Sequence, residues 1–421
     1  MPTAPNAVTL RGFGHAARMV LRREITNRLL TEAMATYIQQ LAAKTDPLRL
    51  VVQQGGKLAP RKLVPTHIEQ LISYKPGRPP EQLKKELGIE KFINLASNEN
   101  PLGPPESALK AITAALPDIC RYPESGSFKL REALGHKLGV NIENLAVGSG
   151  SESIMANIVR AFLHGDDEVL TSEGTFIGLL VLVKAQGVKL RTVPLKDYHF
   201  DLDAIADAVN DRTKIIYLCN PNNPTGTIFT RQEFDTFIKK IPEHVLVIMD
   251  EAYYEFACDN PDYPDSMSYR MDNVLTLRTF AKAYAMAGLR LGYGLGHEYL
   301  IDFVNRIRLP FEPNSLAQAA GLAALQDEDF LEETLANNRH AMAFLQDAFD
   351  KLGLQRVPSH GNFILVEMNC QEKVNRIHEE LLKRGIAIRP LAAFGLPTCF
   401  RVTTGRPAEN HLLVKHLKTI L

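Results

Sequence analysis

The feature that most restricts what this chain can fold into is an alternation. From about Leu63 to the C-terminus, β-branched or aliphatic runs of four to six residues are separated, in most cases, by helical stretches of ten residues or more. The runs are Leu145–Gly148, Glu168–Thr171, Val188–Val193, Lys214–Cys219, Val245–Met249 and Val274–Leu277, each bounded by turn residues. Short runs of this kind fit strands buried on both faces, with the intervening helices as their cover. An α/β fold is expected, with a large domain built on a mostly parallel central sheet. After Pro310 the texture changes. Ser315–Gln326 and Glu328–Leu352 read as long helices; Asn362–Met368, a helix over Glu372–Arg384, Phe400–Thr403 and a final helix then predict a smaller α+β domain. The expected divisions are an extension over 1–63, an N-terminal arm over 64–110, the large domain over 111–314 and the small C-terminal domain over 315–421. No internal repeat or low-complexity tract is visible.

Composition narrows the function. The 421 residues suffice for two or three domains at roughly 150 residues each. Charge is balanced, 48 Lys and Arg against 48 Asp and Glu, which argues against a general nucleic-acid binder because that needs a basic face. No apolar stretch approaches the ~20 residues of a membrane span. The five cysteines are scattered without a CxxC pair, which argues against a zinc site or a disulfide framework and fits a reducing cytoplasm. One asymmetry stands out. Residues 1–63 hold ten Lys and Arg but only Glu24, Glu32 and Asp46. The Arg-rich, nearly acid-free first 30 residues are compatible with an organelle transit peptide; a plain extension is the simpler reading.

Chemistry is expected in the loops at the carboxyl ends of the parallel strands. Gly148-Ser149-Gly150-Ser151-Glu152 opens a helix, and its small residues let a ligand approach free N–H groups that suit a phosphate. Asn220-Pro221-Asn222-Asn223-Pro224-Thr225-Gly226 is a rigid loop that displays amide side chains. Asp250 ends an apolar strand, so it needs a partner. A lysine, a helix N-terminus or a cationic ring nitrogen would each serve. Lys282 lies among small and aromatic residues rather than in a charge run. Desolvation there would depress its pKa and make it a usable nucleophile or base. Eight residues later, Arg290 can return to the same strand edge.

These segments resemble the fold-type I pyridoxal-phosphate (PLP) aminotransferases, and more closely their histidinol-phosphate branch. The resemblance is carried by Tyr74-Lys75-Pro76-Gly77-Arg78-Pro79, by Ala96-Ser97-Asn98-Glu99-Asn100-Pro101-Leu102-Gly103-Pro104, by Arg121-Tyr122-Pro123 and by the NPNNPTG loop. The DEAYYEF strand end, TFAKAYAMAGLRLGY, PFEPNSLAQAA, GNFILVE and FRVTTG complete it.

The resemblance implies that Lys282 carries the cofactor and moves a proton between the substrate α-carbon and the cofactor. It implies that Asp250 pairs with the ring nitrogen, that Asn223 and Tyr253 hydrogen-bond the ring's phenolic oxygen, and that Phe176 stacks on the ring. Arg290 with the N–H groups of Ser151 and Glu152 would hold the phosphate. Tyr122 would reach the phosphate of a neighbouring subunit in a homodimer with shared active sites. Two departures from the family pattern occur. Ala281 stands where a serine usually helps bind the phosphate, with Thr279 the nearest substitute hydroxyl, and Gly174 replaces the usual proline before Thr175-Phe176.

The implied reaction exchanges L-histidinol phosphate and 2-oxoglutarate for imidazole-acetol phosphate and L-glutamate, in histidine biosynthesis. Arg401 and Arg389 would bind its carboxylates and phosphate, with Tyr74, Asn100 and Asn362 supporting the substrate. An aromatic amino-acid aminotransferase on the same scaffold would need only one arginine. A threonine-phosphate decarboxylase is a weaker alternative. A PLP-sensing transcription regulator would require a winged-helix domain that residues 1–63 do not spell out.

Overall fold

A computed structural model describes residues 64–71, 84–86 and 88–421. Tyr74 and the extension over 1–63 lie outside the described residues. The body from Thr66 to Leu421 carries two main sheets. The strands in chain order are β1 (Ile93–Asn94), β2 (Leu145–Gly148), β3 (Glu168–Ser172), β4 (Lys189–Val193), β5 (Thr213–Cys219), β6 (Leu246–Asp250), β7 (Val274–Thr279), β8 (Gly292–Leu295), β9 (Gln355–Arg356), β10 (Phe363–Glu367), β11 (Ile386–Ala387), β12 (Arg389–Pro390) and β13 (Cys399–Thr403).

The large sheet runs β2-β8-β7-β6-β5-β3-β4. Every pairing in it is parallel except those of β8, which is antiparallel to both β2 and β7. Its central strands are buried on both faces, as the β-branched runs require: Ile215, Ile216, Val247, Ile248 and Leu275 pack with Ile154, Ile158 and Phe234 from the covering helices. Each such side chain contributes about 1.5–3 kcal/mol by leaving water. The four-stranded sheet, β12-β13-β10-β9, is antiparallel. One of its faces, with Ile364, Val366, Phe400 and Val402, packs on Leu345, Phe349, Ile377 and Leu417. The pair β1–β11 ties the segment before Asn100 to this C-terminal region.

Two features depart from the pattern read in the sequence. β8 reads Gly-Tyr-Gly-Leu and lacks the β-branched signature. Glycine is required there, because a Cβ on Gly292 would sit 2.3 Å from the Ser151 nitrogen. The helix Ser315–Leu325, expected to open the C-terminal domain, packs against Glu106–Ala115 and Phe128–Leu138. Its Ala317, Ala320 and Ala324 share one cluster with Leu130, Val147 and Tyr293 beside β2 and β8.

Strands β2, β5, β6 and β7 all point the same way, so their carboxyl ends share one edge of the sheet.

Candidate active site

A cavity of about 170 Å³ opens at that edge, lined by Gly150, Ser151, Glu152, Phe176, Cys219, Asn223, Asp250, Ala252, Tyr253, Thr279, Ala281, Lys282 and Arg290. A larger depression of about 800 Å³ near Glu143 and His297 borders the start of β7 at Val274, on the opposite edge. No comparable convergence of strand-end groups occurs there.

One end of the cavity is a backbone cradle. The helix Ser151–Phe162 begins after Gly150, whose φ is +82°, and no side chain caps it. The first N–H groups of a helix have no intrahelical partner. Arg290, itself left-handed at φ 55°, lays its guanidinium beside the turn; a Cβ on Gly150 would come within 2.8 Å of it. Glu152 lies 3.8 Å from the same guanidinium, and both side chains are about half exposed.

At the opposite end Asp250 is buried. Its Oδ2 accepts the Tyr217 hydroxyl proton at 2.7 Å and its Oδ1 accepts the Ala252 N–H at 3.2 Å. Burial pushes its carboxyl up to about 6, against the lowering effect of the Tyr217 and Ala252 hydrogen bonds and of the Lys282 charge. Lys282, at the turn after β7, is half-buried along the cavity wall and donates to the Ser97 carbonyl at 3.3 Å. Desolvation lowers its amine to about 8; Arg401 and Arg290 add to this, while Glu99 and Asp250 oppose it. An amine in that range is partly neutral near physiological pH, as a nucleophile or base requires.

The side walls are tied to the small sheet. Tyr253 is buried, its phenol raised by desolvation, and its hydroxyl accepts from Asn98 Nδ2 at 2.8 Å. Arg401, buried on β13, donates to the Asn223 amide oxygen and to the Ala96 carbonyl at 2.8 Å. Burial lowers its guanidinium to about 10, and its Nε has no hydrogen-bond partner among the described residues. Arg389 on β12 is the direct cross-strand partner of Arg401, so the two cations share one face. Asn362 donates to the Asn98 carbonyl at 3.3 Å, leaving its Oδ1 without a partner among the described residues. Phe176 caps the start of its helix, and its ring lies so close to Gly178 that a Cβ there would meet it at 2.4 Å.

Three of the residues singled out in the sequence are engaged in contacts within this chain. The Asn100 amide donates to Ala283 O at 3.0 Å and to the Thr334 hydroxyl at 2.9 Å, and accepts from Leu102 N. It braces the N-terminal arm, and both of its amide protons are taken. The Thr279 hydroxyl donates to Leu291 O at 3.2 Å and accepts from Ala281 N; its proton holds the turn and is not free to replace a serine at 281. Tyr122 lies outside the cavity of its own chain, 79% exposed and stacked on Phe311 at 4.2 Å. In the other direction, sequence reasoning passed over Asn98, Tyr217 and Cys219. The signal for Tyr217 was a lone hydroxyl in an otherwise apolar strand end. For Asn98 it was an asparagine in a Ser-Asn-Glu-Asn turn, where it takes φ 55°.

Strand-end cradle, buried acid and desolvated lysine are the marks of one class of enzyme. The chain belongs to the family described as aminotransferase class I and II, whose model matches residues 90–417. Within that class the chain is 41% identical over 362 residues to histidinol-phosphate aminotransferase 1 of Nitrosococcus oceani, covering 86% of this chain and 97% of that protein. It is 42% identical over 358 residues to histidinol-phosphate aminotransferase 2 of Pseudomonas fluorescens, covering 84% and 96%. Among solved structures it is similar to histidinol-phosphate aminotransferase from Sinorhizobium meliloti in complex with pyridoxal-5'-phosphate. There the TM-score is 0.79 at 30% identity, over 86% of this chain and 98% of that one.

Proposed function

We propose that this chain is the PLP-dependent transaminase that exchanges L-histidinol phosphate and 2-oxoglutarate for imidazole-acetol phosphate and L-glutamate, a step of histidine biosynthesis. The observation that carries the substrate half of this reading is the Arg389–Arg401 pair. Like charges directly across a ladder are unfavourable, and these two face each other with no acidic side chain bridging them among the described residues. A phosphate or carboxylate between them removes the penalty.

The residues fit PLP. The cavity offers a phosphate-sized cradle at Gly150, a buried acid for a ring nitrogen at Asp250 and an amine for an aldehyde at Lys282. Bound there, the cofactor supplies a carbonyl that takes up amino groups and an electron-poor ring that stabilises charge left on the substrate α-carbon. The protein does the rest. Ser151 and Glu152 N–H groups with Arg290 hold the phosphate, and Asp250 keeps the ring nitrogen protonated. Asn223 and Tyr253 bind the phenolic oxygen, and Phe176 covers the ring face. Lys282, with its amine lowered to about 8, would take the proton from the substrate α-carbon and pass it to the cofactor. Arg401 receives the carboxylate of glutamate and Arg389 the phosphate of histidinol phosphate. Asn362, with its free Oδ1, supports that end of the site, and Tyr74 on the N-terminal arm adds a hydroxyl.

The working unit in this reading is a homodimer. Tyr122 and Phe311 lie exposed near Leu116, Ile119 and Leu309 in sequence, all of them apolar side chains left open to solvent. A second copy would cover such side chains and let Tyr122 reach the phosphate cradle opposite.

Steady-state kinetics of Arg389→Ala test the substrate. Loss of a charge-assisted pair should lower kcat/KM for histidinol phosphate roughly tenfold to hundredfold and leave phenylalanine nearly unchanged. Equal losses on the two substrates would favour an aromatic amino-acid aminotransferase.

A further inference from the structure

Among the described residues two donors bond the Asp250 carboxylate, the Tyr217 hydroxyl and the Ala252 N–H, and Tyr217 does not line the cavity. Tyr217 is on β5, two residues before Cys219, which is the register partner of Asp250 on β6. Residues two apart on a strand share a face, so the Tyr217 phenol runs along the sheet toward the acid. It is fully buried, and its hydroxyl donates to Asp250 Oδ2 at 2.7 Å. The opposite oxygen, Oδ1, accepts the Ala252 N–H at 3.2 Å. Each carboxylate oxygen is thus held by its own donor.

We propose that Tyr217 is a positioning residue for the reaction: its donated proton fixes the Asp250 carboxylate, as an anion, in the orientation that receives the protonated ring nitrogen of the cofactor. The inference rests on the reading of Asp250 given above. The balance involved is one proton shared between two atoms. With the carboxylate stabilised by Tyr217, the proton stays on the ring nitrogen and the acid stays charged. Without that bond the carboxylate becomes the stronger base, the proton moves toward oxygen, and the ring loses the positive charge that makes it electron-poor. A buried tyrosine hydroxyl is costly unless it is bonded, so phenylalanine would serve packing alone. The hydroxyl therefore points to a role that packing does not require.

The test uses holoenzyme carrying PLP labelled with 15N at the ring nitrogen, and reads the ring-nitrogen chemical shift against pH. Three proteins are compared: unsubstituted, Tyr217→Phe and Asp250→Asn. Tyr217→Phe should move the shift part of the way toward the unprotonated value and lower kcat about tenfold, the worth of one hydrogen bond to a charged group. KM for glutamate should change less than about threefold, because Tyr217 does not touch substrate. Asp250→Asn should give the fully unprotonated shift. If Tyr217→Phe keeps the original shift while Asp250→Asn loses it, Tyr217 is a packing residue and the proposal is overturned by itself. If Asp250→Asn keeps a protonated ring, the reading of Asp250 fails and the proposal falls with it. Should Tyr217→Phe not fold, 3-fluorotyrosine at position 217, a stronger donor of the same shape, decides the matter. It should keep the nitrogen protonated to higher pH, and an unchanged midpoint overturns the proposal.

Discussion

Asn98 Nδ2 donates to the Tyr253 hydroxyl across 2.8 Å, joining two residues 155 positions apart in the chain. Because the hydroxyl oxygen is accepting, the phenolic proton is left for another acceptor. Asn98 is itself fixed on every side: its N–H goes to the Thr403 hydroxyl at 2.9 Å, its Oδ1 accepts that hydroxyl at 3.1 Å, and its carbonyl accepts from Asn362. One left-handed asparagine thus couples the N-terminal arm, the small sheet and the cavity wall.

Asn98→Ala should lower kcat/KM about fivefold, the loss of roughly 1 kcal/mol from one hydrogen bond. It should also lower the melting temperature, because alanine tolerates φ 55° less well. Kinetics and thermal unfolding on one preparation separate the two effects. A lower melting temperature with unchanged kinetics would reduce Asn98 to scaffolding.

The Lys282 amine sets a pH dependence. Only its neutral form attacks an aldehyde, so the rate at which apoenzyme captures PLP should rise with pH through about 8. In Arg401→Gln a repelling charge is gone, the ammonium is favoured, and the midpoint should move to higher pH. Stopped-flow absorbance follows both. Stability of the apoenzyme is linked to the same group. Folding lowers the amine from 10.5 to about 8, so the unfolded chain binds more protons across that window and stability gains with rising pH. Asp250 acts oppositely: raised from 3.8 to about 6, it lets stability fall as pH rises through that lower window. Lys282→Ala should flatten the alkaline slope and, with its charge gone, let the Asp250 window reach to higher pH.

Ala281 lines the cavity, and the Thr279 proton is already bonded to Leu291. Ala281→Ser should therefore add a hydrogen bond to the cofactor phosphate and tighten PLP about fivefold, near 1 kcal/mol. Fluorescence titration of the apoenzyme measures it. Unchanged affinity would mean that the position 281 side chain does not reach the phosphate.

Much of this molecule is legible in its sequence where one physical rule acts alone. Buried parallel strands demand apolar, β-branched runs, so β5 starts one residue before the predicted Lys214–Cys219, and β6 differs from its predicted span by one residue at each end. Where two demands meet, the reading fails. Gly292 and Gly294 make β8 look like a turn; close approach to Ser151 forbids a side chain at Gly292, and Gly294 packs under Leu277. The alanines of Ser315–Leu325 carry no mark of which sheet they will pack against. Around the cavity, side chains at strand ends could be named because the strands could be named. Asn98, Asn100 and Tyr217 act through partners 33 to 234 residues away. Their roles depend on tertiary contacts that no local pattern encodes.

The chemistry proposed here turns on a single desolvated amine, Lys282, capturing the PLP aldehyde. Holoenzyme treated with borohydride, digested and mapped by mass spectrometry tests it most directly. A reduced pyridoxyl label on Lys282 alone, with no label and no visible absorption band in Lys282→Ala, is the expected result. A label on any other lysine, or a Lys282→Ala protein that still absorbs in the visible and turns over, would contradict it.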